Sequence, residues 1–296
     1  MPRVSIGLPV YNGENYLCKA IESILSQTYT DFELIISDNA STDQTQSICE
    51  KYASQDPRII YYRQERNLGA ADNYNFTFHQ AKGEYFKWAA HDDILDRDYL
   101  SKCVAILDQD ESVVVCHTKT MIIDEHDNLV EESIDDVNMV DSPIASVRYS
   151  NILLARRNRC LYAFGVIRSA VLRNTALIGK YLSSDRNLLA ELALYGRFYQ
   201  VPEYLFLNRY HTKKSTNISW YERATWFDTS LAGKWTYPYW KIVYHFYKSI
   251  GKVPLAYSER IKCYSSFMIF VRHSWKYLLR DIQYALRIQY TNMQKS

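Results

Sequence analysis

The chain has 296 residues, enough for one large domain or for a domain with a sizeable extension. Its hydrophobic share of 47% and charged share of 23% describe an ordinary globular protein, neither disordered nor dominated by membrane spans. A net charge of +2 excludes a global field for nucleic acid, although the charge is uneven: from Lys241 onward ten Lys and Arg face only Glu259 and Asp281. No stretch approaches the roughly 18 apolar residues of a spanning helix. The N-terminus runs from Met1-Pro2-Arg3 straight into a strand-like segment without a signal-peptide pattern. Six scattered cysteines form no CxxC pair, so Cys18, Cys103 and Cys116 read as buried thiols of a protein from the reducing cytoplasm.

Val4 to Leu8 is a short apolar run ending at Pro9 and reads as a first buried strand. Leu17, Ala20, Ile21, Ile24 and Leu25 then recur at helical spacing. Phe32 to Ser37 is a second strand leading into Asp38-Asn39-Ala40-Ser41-Thr42-Asp43, and a helix carries Ile48, Cys49 and Tyr52. Arg58 to Arg63 is a third strand, Ala71 to Gln80 a helix, and Tyr85 to Ala89 a fourth strand running into Ala90-His91-Asp92-Asp93. A helix from Tyr99 to Leu107 and a strand from Val113 to Thr118 follow. Strands alternating with helices at this spacing predict parallel βαβ units with helices on both faces. Ligands of such sheets bind outside the carboxyl ends of the strands, where Pro9, Asp38 and Asp92-Asp93 converge.

The second half is less regular. Met121 to Val130 predicts a hairpin turning at Asp127-Asn128, and Glu131 to Ser142, with Asp135, Asp136 and Asp141, predicts a solvated acidic loop. Ala163 to Ile167 predicts a strand, Ser183-Ser184-Asp185 opens a helix closed by Gly196, and Phe198 to Val201 and Glu203 to Tyr210 predict two closing strands. Helices are expected from Trp220 onward. The aromatic and basic side chains there, Trp235, Tyr237, Tyr239, Trp240, Tyr244 and Phe246 among them, fit core packing first, then a peripheral membrane contact or a subunit contact.

Neither GxGxxG nor GxxxxGK[ST] occurs, so a nucleotide must be held by side chains and a cation rather than by a glycine cradle. Two adjacent acids at a strand end suit a hard divalent cation and the diphosphate it carries; the alternative is a solvated turn capping the next helix through Asp96 or Asp98. Asp38 could accept from a base or a ribose hydroxyl, or close an Asx-turn, as could Asp43 or Ser41.

Three stretches carry a resemblance: Pro9-Val10-Tyr11-Asn12-Gly13-Glu14-Asn15-Tyr16-Leu17, Ile21 to Tyr29, and Phe32 to Asp43. With Arg66-Asn67-Leu68-Gly69 and His91-Asp92-Asp93, they resemble the family 2 glycosyltransferases over the first two-fifths of the chain, and more loosely to Tyr210-His211. The resemblance implies a GT-A fold: an α/β, mostly parallel mixed sheet flanked by helices, with a helical aromatic-rich extension. Residues 1–215 would form the glycosyltransferase domain, with a nucleotide-sugar half at 1–118 and an acceptor half at 119–215, and residues 216–296 the extension. It also implies metal-dependent inverting transfer of a hexosyl or N-acetylhexosaminyl unit from a nucleotide-sugar, UDP-linked, to a glycan or lipid-linked acceptor, with Mn²⁺ or Mg²⁺. Pro9, Tyr11 and Glu14 would line the nucleoside pocket, Asp38 would contact the base, and Asn67 and Gly69 would border the nucleotide. Asp92 would face the ribose or donor sugar, Asp93 would bind the metal, and His211 would complete its shell or touch the diphosphate. Asp185 would be the base, with an N-cap as its alternative role.

Two departures stand out: His91 or Ala90 occupies the place of a further family Asp, and Ser184 that of a Glu before the base. They keep a catalytically inactive nucleotide-sugar-binding or scaffold protein as the rival. A sugar-1-phosphate nucleotidyltransferase is disfavoured by the absence of a Gly- and Lys/Arg-rich loop after the first strand, and a processive synthase by the absence of QxxRW.

Overall fold

The computed structural model describes residues 1–133, 140–155, 160–212, 226–231 and 237–293. The expectations for Asp135-Asp136, for residues 220–225 at the start of the helical region and for Trp235 fall outside the described residues.

β1 (Val4–Val10) and β2 (Phe32–Asp38) are buried at every position, as largely apolar strands are when helices cover both faces of a parallel sheet, and buried Ser5 and Glu33 satisfy one another. β3 (Ile59–Arg63) extends the sheet beside β2, and β4 (Tyr85–Trp88) pairs with β1 on its other side, all four parallel. The connections are α1 (Leu17–Leu25), α2 (Thr45–Gln55) and α3 (Ala70–Gln80). α1 buries Leu17, Ala20, Ile21 and Ile24, the stripe its spacing predicts.

Beyond β4 the sheet becomes mixed. β5 (Ile94–Leu95) and α4 (Tyr99–Gln109) lead to β6 (Val113–Ile123), which turns through Asp124 to Asn128 into β7 (Leu129–Glu132). α5 (Ala145–Leu154) precedes β8 (Val166–Arg168), and a single turn, α6 (Ser169–Leu172), and α7 (Ser184–Tyr195) precede β9 (Arg197–Arg209). The strand order is β3-β2-β1-β4-β8-β6-β9-β5, with β7 beside β6. β8 runs antiparallel to β4 and β6, β6 and β9 run parallel, and β5 is antiparallel to β9. The boundary expected near residue 118 falls inside β6.

β9 is one strand where the sequence suggested two. Thr118 pairs with Val201 and Lys119 with Tyr204, so Pro202 and Glu203 form an irregularity that the ladder passes over. A proline is tolerated there because it withholds no ladder hydrogen bond.

One core lies between the sheet and α1, α2 and α4; the other lies between the opposite face and α3, α5 and α7. α8 (Pro238–Lys252) and α9 (Tyr257–Met293) join the second core through Ile242, Phe246, Ile250, Cys263 and Phe267. All six cysteines are free thiols, five of them buried; Cys18 is half-buried rather than enclosed.

Candidate active site

The carboxyl ends of β1 and β2 are tied together by backbone amides and short polar side chains. Asn12 N–H donates to Ser41 Oγ at 2.9 Å, Gly13 N–H to Thr45 Oγ1 at 2.9 Å, and Thr42 N–H to Asn12 Oδ1 at 2.9 Å. Glu14 accepts from Gln44 N–H at 3.0 Å, so this exposed carboxylate caps α2. Asp43 closes the reciprocal link by accepting from Glu14 N–H. Burial pushes the Asp43 carboxyl up, but hydrogen bonds from Thr45 and the Glu14 amide outweigh it and hold the group below its ordinary value. Pro9 lies buried in β1 opposite Ser37, and Tyr11 is exposed at the rim.

Asp38 is fully enclosed. It accepts from Ser41 N–H at 2.8 Å, Tyr61 O–H at 3.0 Å and Arg63 Nη1 at 2.9 Å. The expected contact with a base therefore falls to a carboxylate already committed to its own loop and to β3. Neighbouring Asn39, to which the sequence assigns no role of its own, accepts from Leu68 N–H and donates to Asn67 Oδ1 and Gly69 O. It fastens the Asn67–Gly69 turn to β2. Gly69 has φ of +85°, and a Cβ there would lie 2.7 Å from Phe227 O, so residues 226–231 pack directly on this turn.

Asp92 and Asp93 follow β4 and are both buried. Asp93 accepts from Asn208 Nδ2 at 3.0 and 3.1 Å and from Arg209 N–H at 2.9 Å, which holds the loop to the end of β9. Asp92 instead meets His211, with Oδ2 and Nε2 2.9 Å apart. The resemblance sets His211 beside Asp93 at the cation; in the structure His211 meets Asp92, while Asp93 accepts from the Asn208 side chain and the Arg209 amide. Arg209, with no exposed surface, donates to Asp92 O and Asp124 O, pairs with Asp127 at 2.6 Å and lies 4.6 Å over the Tyr16 ring. Tyr16 also packs against the His211 ring. His91, the departure from the family pattern, rests against Gly13, where a Cβ would lie 2.8 Å from its ring.

Asp92 and His211 offer an oxygen and a nitrogen on one side of the site. The two side chains are joined to each other by this contact, and a carboxylate oxygen beside an imidazole nitrogen is a donor pair that would fit a divalent cation. Among the described residues no group of three His, Cys, Asp or Glu side chains gathers.

Asp185 is the first-turn acid of α7, and its Oδ1 accepts from Arg186 N–H at 2.8 Å. Arg186 donates to Ile152 O, Leu153 O and Ala155 O, so it docks the start of α7 onto the end of α5. Ser183 enters the helix at φ +59°, a left-handed conformation unusual for serine. Tyr74 on α3 relates the two acidic sites: burial pushes its phenol up, and Asp92, Asp93 and Asp185 all add repulsion. No motif marked Tyr74, because its place depends on how α3 crosses the sheet.

Beneath the acid pair, Lys87 is wholly buried, donates to Phe164 O and lies 4.5 Å over the Tyr99 ring; burial pushes its ammonium down to about 7. Arg168 is structural, donating to Leu107 O, Asp110 O and Val113 O.

Residues 5–168 match the family described as glycosyl transferase family 2. The chain belongs to glycosyl transferase family 2. An uncharacterised glycosyltransferase of Rickettsia typhi is 37% identical over 125 residues, 42% of this chain and 38% of that protein. The match thus spans well under half of the relative's length. TarS of S. aureus in complex with UDP-GlcNAc superposes with a TM-score of 0.65 at 18% identity, over 91% of this chain and 72% of that one. The mannosyltransferase PcManGT of Pyrobaculum calidifontis, in complex with GDP-Man and Mn²⁺, gives 0.57 at 17% identity over 99% and 84%. These likenesses show the fold of this family member to be of the GT-A type.

Proposed function

We propose that this chain transfers a glycosyl unit from a nucleotide-sugar, UDP-linked, to a hydroxyl of a glycan or lipid-linked acceptor, with inversion and with Mn²⁺ or Mg²⁺. The Asp92–His211 pair, set beside the ordered ends of β1, β2 and β9, carries this reading. The family membership supports it, and so does the nucleotide-sugar bound to two proteins of the same fold. Six free thiols fit the reducing cytoplasm as its compartment.

Asp92 and His211 would hold the cation, and Asp93 would act as the positioning residue that fixes their loop to β9. A bound cation neutralises charge on the departing diphosphate. Asp185 would take the proton from the acceptor hydroxyl as that oxygen bonds to the anomeric carbon. The bond from that carbon to the diphosphate breaks in the same displacement. Tyr11 and the Asn67–Gly69 turn would border the nucleotide, with Pro9, Glu14 and Asp38 shaping the loops beneath it.

The test is turnover with a panel of nucleotide-sugars, with Mn²⁺ or with EDTA, alongside donor-induced thermal shifts. Activity is expected only with metal. Asp92→Asn should lose the metal-dependent shift, whereas Asp185→Asn should keep it and lose transfer by about 10³-fold, the scale of general-base catalysis. Turnover that survives EDTA, or transfer by Asp185→Asn at the parent rate, would overturn the mechanism. Donor binding without turnover by the parent protein would favour the inactive binding protein that Ser184 leaves open.

A further inference from the structure

α8 and α9 form an antiparallel hairpin: Tyr239 stacks on Tyr277, Phe246 meets Phe270, and Tyr247 meets Tyr264. α9 turns one stripe inward, burying Cys263, Phe267, Ser274, Leu278 and Asp281. A second stripe on its outer side is also apolar. Ile261, Met268, Trp275 and Ile282 recur every seven residues over about 32 Å of helix. On α8 the exposed positions Trp240, Tyr244 and Tyr247 share one face. All seven side chains are between 39% and 62% exposed. Scattered exposed apolar residues are normal, but two aligned rows on adjoining helices are not.

The rim of these rows is basic. Between residues 241 and 285, eight Lys and Arg face two acids. Glu259 pairs with Lys262, and Asp281 is buried, accepting from Tyr239 N–H, so neither acid offers a free anionic counterpart on the surface. Arg272 and Lys276 flank Trp275, with the Lys276 ammonium 5.7 Å over its ring, and Lys248 lies 5.7 Å over Tyr244.

We propose that this face of the α8–α9 hairpin docks on an anionic lipid surface, lying in the headgroup layer. Trp and Tyr place an apolar body against acyl chains and a polar edge among headgroups, and long basic side chains reach the phosphates. Charge decides against a second copy of the chain, since a symmetric contact would set one basic rim against another without acids to answer it. Among the described residues no helix is long and apolar enough to cross a membrane, which matches a contact along the surface.

The test is flotation of the full chain with vesicles of phosphatidylcholine alone or of phosphatidylcholine with phosphatidylglycerol, with oligomeric state followed by sedimentation. Binding is expected only to the phosphatidylglycerol vesicles, and it should weaken as salt is added. The double variant Arg272→Glu/Lys276→Glu should lower partition at least tenfold, and Trp240→Ser/Trp275→Ser should do the same, both with unchanged circular dichroism. The charge variant keeps the test decisive where loss of the tryptophans disturbs the hairpin. Equal binding to both vesicle types, no binding to either, or a dimer that Trp275→Ser dissociates would overturn the proposal.

Discussion

The two ends of the molecule distribute polarity in opposite ways. At the carboxyl ends of β1, β2, β4 and β9, charged side chains are buried: Asp38, Asp92, Asp93 and Arg209 lie inside, each with named partners. On the α8–α9 hairpin, tryptophan, methionine and isoleucine stand in water while charges ring them. The first arrangement costs desolvation and holds only while every partner is in place. The second leaves apolar surface uncovered, which a chain tolerates without loss of fold but which favours any layer that covers it. One end is built for geometry, and the other offers area.

Removing a buried partner at the first end should have the largest effect. Arg209→Ala strips donors from Asp92 O and Asp124 O and a partner from Asp127, so a loss of about 3–5 kcal/mol in urea unfolding is expected. A change below 1 kcal/mol would show that the network is not held this way. Next comes His117, buried on β6 with Nε2 lacking a partner among the described residues; burial pushes its pKa down to about 4. The folded value lies below the ordinary 6.5, so the unfolded chain binds the extra proton between the two. Stability should be full above pH 6.5 and fall by about 3 kcal/mol as pH drops toward 4. His117→Phe should flatten that acid limb, and an unchanged limb would assign acid lability to other groups.

Gly69→Ala places a Cβ against Phe227 O at φ +85°, and should cost about 1–3 kcal/mol and weaken donor binding by thermal shift. Wild-type donor binding in this variant would separate residues 226–231 from the nucleotide site. Smallest is Trp275→Ser on the exposed stripe, expected within about 0.5 kcal/mol of the parent by thermal unfolding. A larger loss would mean that the stripe is already covered and that the contrast between the two ends is weaker than drawn.

Local chemistry made the first four strands, their helices and the two acid-bearing strand ends legible in the sequence. Continuous apolar runs, helical spacing and turn residues act over a few positions, and the family motif lies in consecutive residues. The pairing of β9 was not legible, because Pro202-Glu203 reads as a break until β6 supplies a ladder that steps around it. Nor was the division of labour between two adjacent aspartates. Asp92 and Asp93 are alike in sequence, and only the return of β9, more than a hundred residues later, gives Asn208 and the Arg209 amide to one and His211 to the other. The aromatic excess after Trp235 was visible as composition. Which of those side chains are buried and which stand outward was decided by the hairpin, since one apolar face of each helix suffices to close the core and the other is left to solvent.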